Sequence, residues 1–172
     1  MEEEFEVYKQ AIKINPDDAK AHYDLGLAYY KLGKYEEAIE SYKQAIRLDP
    51  DYAKAHYNLG TAYIRLNKYK EAIKSLRQSI RIDPDYAEAH FNLGDTYDET
   101  GKYEEAIESY KQAVRINPDY AEAHYYLGVA YIDLNDEEEL NEKLRDSALE
   151  QYEILKSLDP ERANELFDKI YE

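Results

Sequence analysis

The chain of 172 residues sets 22 Lys+Arg against 38 Asp+Glu, for a formal net charge of −16, and holds no Cys, no Trp and 20 Tyr. The lack of cysteine excludes disulfide scaffolds, thiolate metal sites and cysteine nucleophiles, and the acidity argues against nucleic acid and membrane as partners. No stretch approaches the roughly 18 apolar residues of a membrane span, the start at Met1 lacks the basic region of a signal peptide, and the cytoplasm is the default compartment.

Self-similarity dominates the sequence. All five prolines end an Asn-Pro or Asp-Pro pair, and Pro16, Pro50, Pro84 and Pro118 are spaced by 34 residues, whereas Pro160 follows after 42. Gly26, Gly60, Gly94 and Gly128 keep the same step, as do His22, His56, His90 and His124, and Gly33 and Gly101 occupy a second glycine phase. A 34-residue period is that of a helix-turn-helix solenoid unit.

In chain order, residues 1–18 form a half repeat holding a second helix only, with Phe5, Tyr8, Ala11 and Ile12 on its apolar face. Either it is one end of a longer array, or its open face packs on a partner or on another copy. The first full repeat, 19–52, carries Leu25, Ala28, Tyr29 and Leu32 on helix A, then Ala38, Ile39, Tyr42, Ala45, Ile46 and Leu48 on helix B, both at spacings of three and four. Repeats 53–86 and 87–120 follow the same plan. Gly26, Ala38 and Ala45 are small where two helix backbones approach, and Leu25, Tyr29 and Tyr42 fill the space around them.

Gly33, Asn67, Gly101 and Asn135 share the phase of the turn after helix A, and both residue types tolerate a left-handed helix terminus. Asp85 to Glu88 and Asp119 to Glu122 match a capping box at the start of helix A. The fourth repeat, 121–162, holds eight extra residues within 136–147. Leu140, Leu144, Ala148 and Tyr152 run at i+4 steps, so helix B is expected to extend backwards by about two turns, roughly 12 Å at 1.5 Å per residue. Leu155 stands where Ala45, Ser79 and Ala113 stand earlier, which implies a change of stacking geometry. The last segment, with Leu166, Phe167 and Ile170, is expected to form a C-terminal capping helix over 163–172. One such unit cannot bury its own apolar face, so neighbouring repeats must make the core together.

The spaced residues His56, Leu59, Gly60, Tyr63, Ala72, Leu76, Ser79 and Pro84, with Tyr42 and Ala45 or Tyr110 and Ala113 at the later phases of neighbouring units, resemble the tetratricopeptide repeat signature. His stands where that family usually has Trp, and the fourth unit is irregular. The resemblance implies an all-α fold, a right-handed superhelical solenoid of antiparallel helix pairs, whose concave groove is lined by the first helices.

Catalytic readings are weak. The histidines recur one per repeat at a packing phase, and no Cys or second nearby His completes a ligand set. Ser41, Ser75 and Ser109 share one phase of helix B, which argues for surface filling rather than for a nucleophile. No nucleophile–base pair or phosphate loop is visible, and no catalytic, cofactor-binding or metal-binding residue and no cofactor is assigned.

Carried over residue by residue, the resemblance places Lys20, Tyr23, Asp24, Leu27, Tyr30 and Lys31 in the groove from the first repeat. The second supplies Lys54, Tyr57, Asn58, Thr61, Ile64 and Arg65, and the third Glu88, Phe91, Asn92, Asp95, Asp98 and Glu99. The fourth supplies Glu122, Tyr125, Tyr126, Val129, Ile132 and Asp133. Tyr23, Tyr57, Phe91 and Tyr125 form a row of rings suited to a peptide platform. Some relatives clamp a carboxylate with Lys and Asn at set groove phases, but Tyr23, Leu27 and Glu88 occupy those phases here and only Asn58 fits.

Charge is uneven: residues 1–86 hold 14 basic and 15 acidic residues, and residues 87–172 hold 8 and 23. The expected ligand is therefore a protein or peptide segment of mixed charge, acidic against the first two repeats and basic against the last two, with a solvated acidic face as the competing reading. The function expected is a non-catalytic protein-interaction scaffold. A self-assembly module joining open repeat ends head to tail, or an accessory region of a larger enzyme or complex, are the alternatives.

Overall fold

The computed structural model describes residues 2–135 and 141–171, with side chains from Phe5 onward. Among these residues the regular structure is helical: α1 Glu2–Ile14, α2 Ala19–Lys31, α3 Tyr35–Leu48, α4 Ala53–Arg65, α5 Tyr69–Ile82, α6 Ala87–Asp98, α7 Tyr103–Ile116, α8 Ala121–Asp133, α9 Glu142–Leu158 and α10 Pro160–Tyr171. No described helix is long and apolar enough to cross a membrane.

Consecutive helices pack as pairs, α2 with α3, α4 with α5, α6 with α7 and α8 with α9. The turn chemistry makes the first three pairs tight. Gly33 (φ 71°), Asn67 (φ 55°) and Gly101 (φ 69°) take the left-handed conformation. This lets the N–H groups of Lys34, Lys68 and Lys102 donate back to the carbonyls of Tyr29, Tyr63 and Tyr97 at 3.0, 2.9 and 2.9 Å. The chain thus reverses in three or four residues and helix B runs back along helix A. At the other end of helix B, Asp49, Asp83 and Asn117 are extended, as a residue before proline must be. The side-chain oxygens of Asp49 and Asn117 accept the N–H of Asp51 and Asp119 at 3.2 and 3.3 Å, so at these two places the Asp-Pro or Asn-Pro pair is both helix stop and turn.

The chain divides into two compact units, Met1–Pro84 and Asp85–Glu172. In the first, Ala38, Ile39 and Tyr42 of α3 pack with Leu59 and Ala62 of α4. A Cβ on Gly26 would lie 2.6 Å from the Tyr42 ring, so only glycine admits that tyrosine between α2 and α3. Phe5 of α1 meets Tyr29 of α2 edge-on, with centroids 4.8 Å apart. Tyr8, Ala11 and Ile12 are half-buried, whereas Val7 and Ile14 are 62% and 84% exposed.

In the second unit, Ala148 and Leu155 of α9 pack with Ala163, Leu166 and Ile170 of α10. Leu155 is fully buried, and the geometry around it does change. In the earlier repeats the helix-A glycine is filled by helix B of the same repeat, Tyr42 on Gly26, Leu76 on Gly60 and Tyr110 on Gly94; Gly128 is filled instead by Leu166 of α10, 2.5 Å from where a Cβ would stand.

Five expectations are corrected. Neither capping box forms: the N-caps of α6 and α8 are Tyr86 and Tyr120, one residue past the acid and without a side-chain cap bond. At that phase in the first repeat stands Asp18, which does cap α2, accepting from Ala21 N at 3.1 Å. Asn135 does not repeat the Asn67 turn; its Oδ1 accepts the N–H of Asn141 at 3.2 Å. Asn141 in turn caps α9, which begins three residues before Arg145, the phase of Tyr35, rather than two turns before it. Leu140 lies outside the described residues. The capping helix starts at Pro160, because Asp159 Oδ1 accepts the Arg162 N–H at 3.2 Å and proline suits the first helical position. Ser41, Ser75 and Ser109 do not fill the surface; they are buried under helix A, each hydroxyl donating to the carbonyl four residues back at 2.8–3.0 Å.

Candidate functional site

The helix-A faces carry the residues that the sequence points to, and the two units use them differently. In the first unit α2 touches α4. Lys20, Lys31, Lys54 and Arg65 are exposed, while Tyr23, Asp24, Leu27, Tyr30, Tyr57, Asn58, Thr61 and Ile64 are half-buried. Several are already tied to neighbours. Asn58 Nδ2 donates to the Tyr23 hydroxyl at 2.8 Å, the Tyr23 ring lies 4.9 Å from that of Tyr52, Lys20 pairs with Asp24, and the Arg65 guanidinium lies 5.4 Å from the centre of the Tyr35 ring. The face is a mixture of fixed rings and solvated cations.

In the second unit α6 touches α8. Glu88, Glu99 and Asp133 are exposed, and Asn92, Asp95, Asp98, Glu122, Tyr125, Tyr126, Val129 and Ile132 are half-buried. Phe91 leaves the row of accessible rings. It is 8% exposed, with the rings of Tyr120, Tyr110 and Tyr126 centred 5.1, 5.7 and 5.8 Å away. Tyr125, Val129 and Ile132 pack against the α9–α10 core, so α10 covers part of the face of the fourth repeat. Arg162 of α10 reaches Glu122 at 3.8 Å.

The carboxylates of this face feel each other. Burial, then Glu99 and Glu122, raises the pKa of Asp95. Burial, then Asp133, Asp95 and Glu99, pushes Asp98 up to about 6. Burial also raises Asp133, which Lys169 offsets. Asp98 Oδ1 is buried without a hydrogen-bond partner, as is the hydroxyl of the fully buried Tyr110. Tyr110 reads from sequence as core; its hydroxyl is a polar group on which Asp95 and Asp98 bear. The rings of Tyr52 and Tyr120 beside helix A are absent from the expected groove set, although the recurring Asp-Tyr-Ala after proline marks them.

The histidines build turns. Nε2 of His22, His56 and His124 lies 2.9, 3.0 and 2.9 Å from the carbonyl of Pro16, Pro50 and Pro118, binding the inter-repeat turn to helix A. Nδ1 of His124 also meets the Gln151 side chain at 2.8 Å. Among the described residues no group of three His, Cys, Asp or Glu could hold a metal ion.

The sequence model of the TPR repeat family matches residues 5–33, 27–67, 60–101 and 94–135, and the chain belongs to that family. Among solved structures it is similar to MamA, with 30% identity and a TM-score of 0.81 over 93% of this chain and 89% of the other. It is also similar to TTC0263, a thermophilic TPR protein in Thermus thermophilus, with 25% identity and a TM-score of 0.70 over 98% and 89%. YrrB, described as a TPR protein with an unusual peptide-binding site, shares the fold at 24% identity and a TM-score of 0.77 over 95% and 90%. No curated protein sequence matches the chain.

Proposed function

We propose that the protein is a non-catalytic interaction module that binds a peptide or helical segment of a partner protein on its helix-A faces. One observation carries the reading. The helix-B residues facing helix A are buried as in any core, while the helix-A faces keep polar and aromatic side chains half-exposed at phases where a core would need apolar ones. Family membership supports the same reading. Partner chemistry follows the charge: Lys20, Lys31, Lys54 and Arg65 suit acidic residues on the first unit, and Asp95, Asp98 and Glu99 suit basic ones on the second.

The test is selection of a displayed random-peptide library on the immobilised protein. Peptides should be enriched, and Thr61→Arg in the first unit or Glu99→Arg, at an exposed position in the second, should abolish capture of part of the pool. Enrichment that both variants leave intact would refute the reading.

A second reading rests on the exposed apolar residues Val7 and Ile14 of α1 and Phe167 and Tyr171 of α10. These suit head-to-tail assembly of copies. Phe5 is no probe of that face because it packs on Tyr29, so Val7→Glu is the informative change. Mass measured by light scattering would rise with concentration in the parent protein and not in Val7→Glu.

A further inference from the structure

The third repeat departs from its neighbours at two groove phases. Where Asp95 stands, the other repeats have Leu27, Thr61 and Val129, and where Asp98 stands they have Tyr30, Ile64 and Ile132. All eight positions are half-buried. A carboxylate at a half-buried apolar phase costs desolvation and leaves contacts unmade, and neither aspartate recovers that cost, since neither forms an ion pair among the described residues.

Two buried polar atoms of this unit lack a partner, Oδ1 of Asp98 itself and the hydroxyl of Tyr110. Tyr110 is wholly buried on α7. Its ring lies against Gly94 and 6.2 Å from the ring of Tyr126, so that its hydroxyl ends within the influence of Asp95 and Asp98. A buried hydroxyl and a buried carboxylate oxygen, each without a partner, with the half-exposed carboxylate of Asp95 and the Tyr126 ring above them, leave acceptors open for a cation bearing several N–H donors.

The chain shows the preference itself. Its own α10 presents Arg162 to Glu122 at 3.8 Å and sets Lys169 against Asp133, on the neighbouring helix α8. Arg162 is shared between Glu122 and Asp159, which it meets at 3.5 Å, and Lys169 acts on Asp133; neither cation pairs with Asp95 or Asp98.

We infer that Asp95, Asp98 and the Tyr110 hydroxyl, bordered by Tyr126, form a subsite that takes an arginine or lysine side chain from a basic segment of a partner protein. The inference rests on the peptide-binding reading above and names its chemistry in the second unit. Asp95 and Asp98 stand about one helical turn apart, some 5–6 Å, which matches basic residues at i and i+2 of an extended segment advancing about 3.3 Å per residue.

The probe is the blocked peptide acetyl-Gly-Arg-Ser-Arg-Gly-amide, titrated into the isotopically labelled whole chain and followed by backbone amide NMR, with acetyl-Gly-Glu-Ser-Glu-Gly-amide as its counterpart. The arginine peptide should shift amides around Asp95, Asp98 and Tyr126, and the glutamate peptide should not. Asp98→Asn should weaken binding about tenfold, as loss of a charge-assisted contact does. Tyr110→Phe, which conserves shape, should weaken it about threefold by removing one acceptor. Removing an equal charge at the exposed Glu104 of α7 (Glu104→Gln) should change affinity less than about twofold.

Ionisation gives an independent readout. The groups around Asp98 in this unit are Asp95 on α6 and Glu99 at its C-terminal cap, Tyr110 on α7 and Tyr126 and Asp133 on α8, with Lys169 of α10 acting on Asp133. Arginine keeps its charge throughout, so affinity should fall from about pH 8 to about pH 5 in the parent protein and fall less in Asp98→Asn. Equal weakening by Glu104→Gln and Asp98→Asn would reduce the effect to general attraction by an acidic surface and overturn the inference. Shifts confined to the first unit would overturn it as well. If library peptides still bind the helix-A faces while the arginine peptide ignores Asp95 and Asp98, the subsite is wrong and the peptide-binding reading stands; if neither binds, both fall.

Discussion

At the scale of single residues, the acidic phases of the third repeat mark a place where stability is given up. Asp98 titrates at about 6 in the folded chain, above the ordinary carboxylate, because burial first and Asp133, Asp95 and Glu99 next oppose its charge. At Asp98 the folded state therefore holds the proton more firmly than the unfolded one between about pH 4 and about pH 6, and the contribution of this residue to stability falls as pH rises through that window and levels off above it. Asp98→Asn should remove much of that slope and raise stability near neutral pH by about 1–2 kcal/mol, allowing for solvent screening of a half-exposed group. Urea unfolding across the pH range checks it, and a variant no more stable than the parent at neutral pH would refute the assignment.

At the scale of elements, α10 does more than end the array. Each repeat fills the notch left by its helix-A glycine, yet the fourth draws the filling residue, Leu166, from beyond its own helix pair. The cause is local. Asp159 turns Pro160 directly into a helix start instead of a turn, so α10 begins three residues earlier than the place a helix A would begin, and Leu155 replaces the small residue that elsewhere allows close approach. Gly128→Ala should cost about 1–3 kcal/mol by overpacking the fully buried Leu166. Gly128→Ala combined with Leu166→Ala should cost less than the sum of the two single changes, as expected for residues in direct contact. Denaturant midpoints of the four proteins give the cycle, and strict additivity would mean that the two do not meet.

At the scale of the whole molecule, the charge asymmetry gives the two units different physics. Residues 87–172 hold 8 basic against 23 acidic residues, whereas residues 1–86 are nearly balanced. Self-repulsion should weigh on the second unit at low ionic strength, where the Debye length is about 30 Å at 0.01 M, and be relieved near 0.15 M, where it is about 8 Å. Amide hydrogen exchange at the two salt concentrations should show protection rising in the second unit and changing little in the first. Equal changes in both would show that the excess acid is too well solvated to matter.

Much of the fold was legible in the sequence, because helices, turns and close approaches depend on local chemistry that repeats. Proline after Asp or Asn must stop a helix, Gly33 and Gly101 must supply a left-handed turn, and a 34-residue period must place like residues at like positions. The candidate face was legible as a set of phases, for the same reason. What periodicity could not supply was the outcome of competition for the same space or the same hydrogen bond. Tyr86 and Tyr120 displaced the acids that would have capped α6 and α8, Asn135 joined Asn141 instead of turning like Asn67, and Phe91 sank beneath three tyrosine rings while its counterparts stayed half-exposed. The covering of α8 by α10, and the hydroxyl of Tyr110 left buried without a partner, depend on which side chains meet across helices. The sequence by itself determined the repeat, its turns and the sign of its charge, since these are local or additive; only the tertiary structure decided which groups were left buried without a partner, since that is settled by packing in three dimensions.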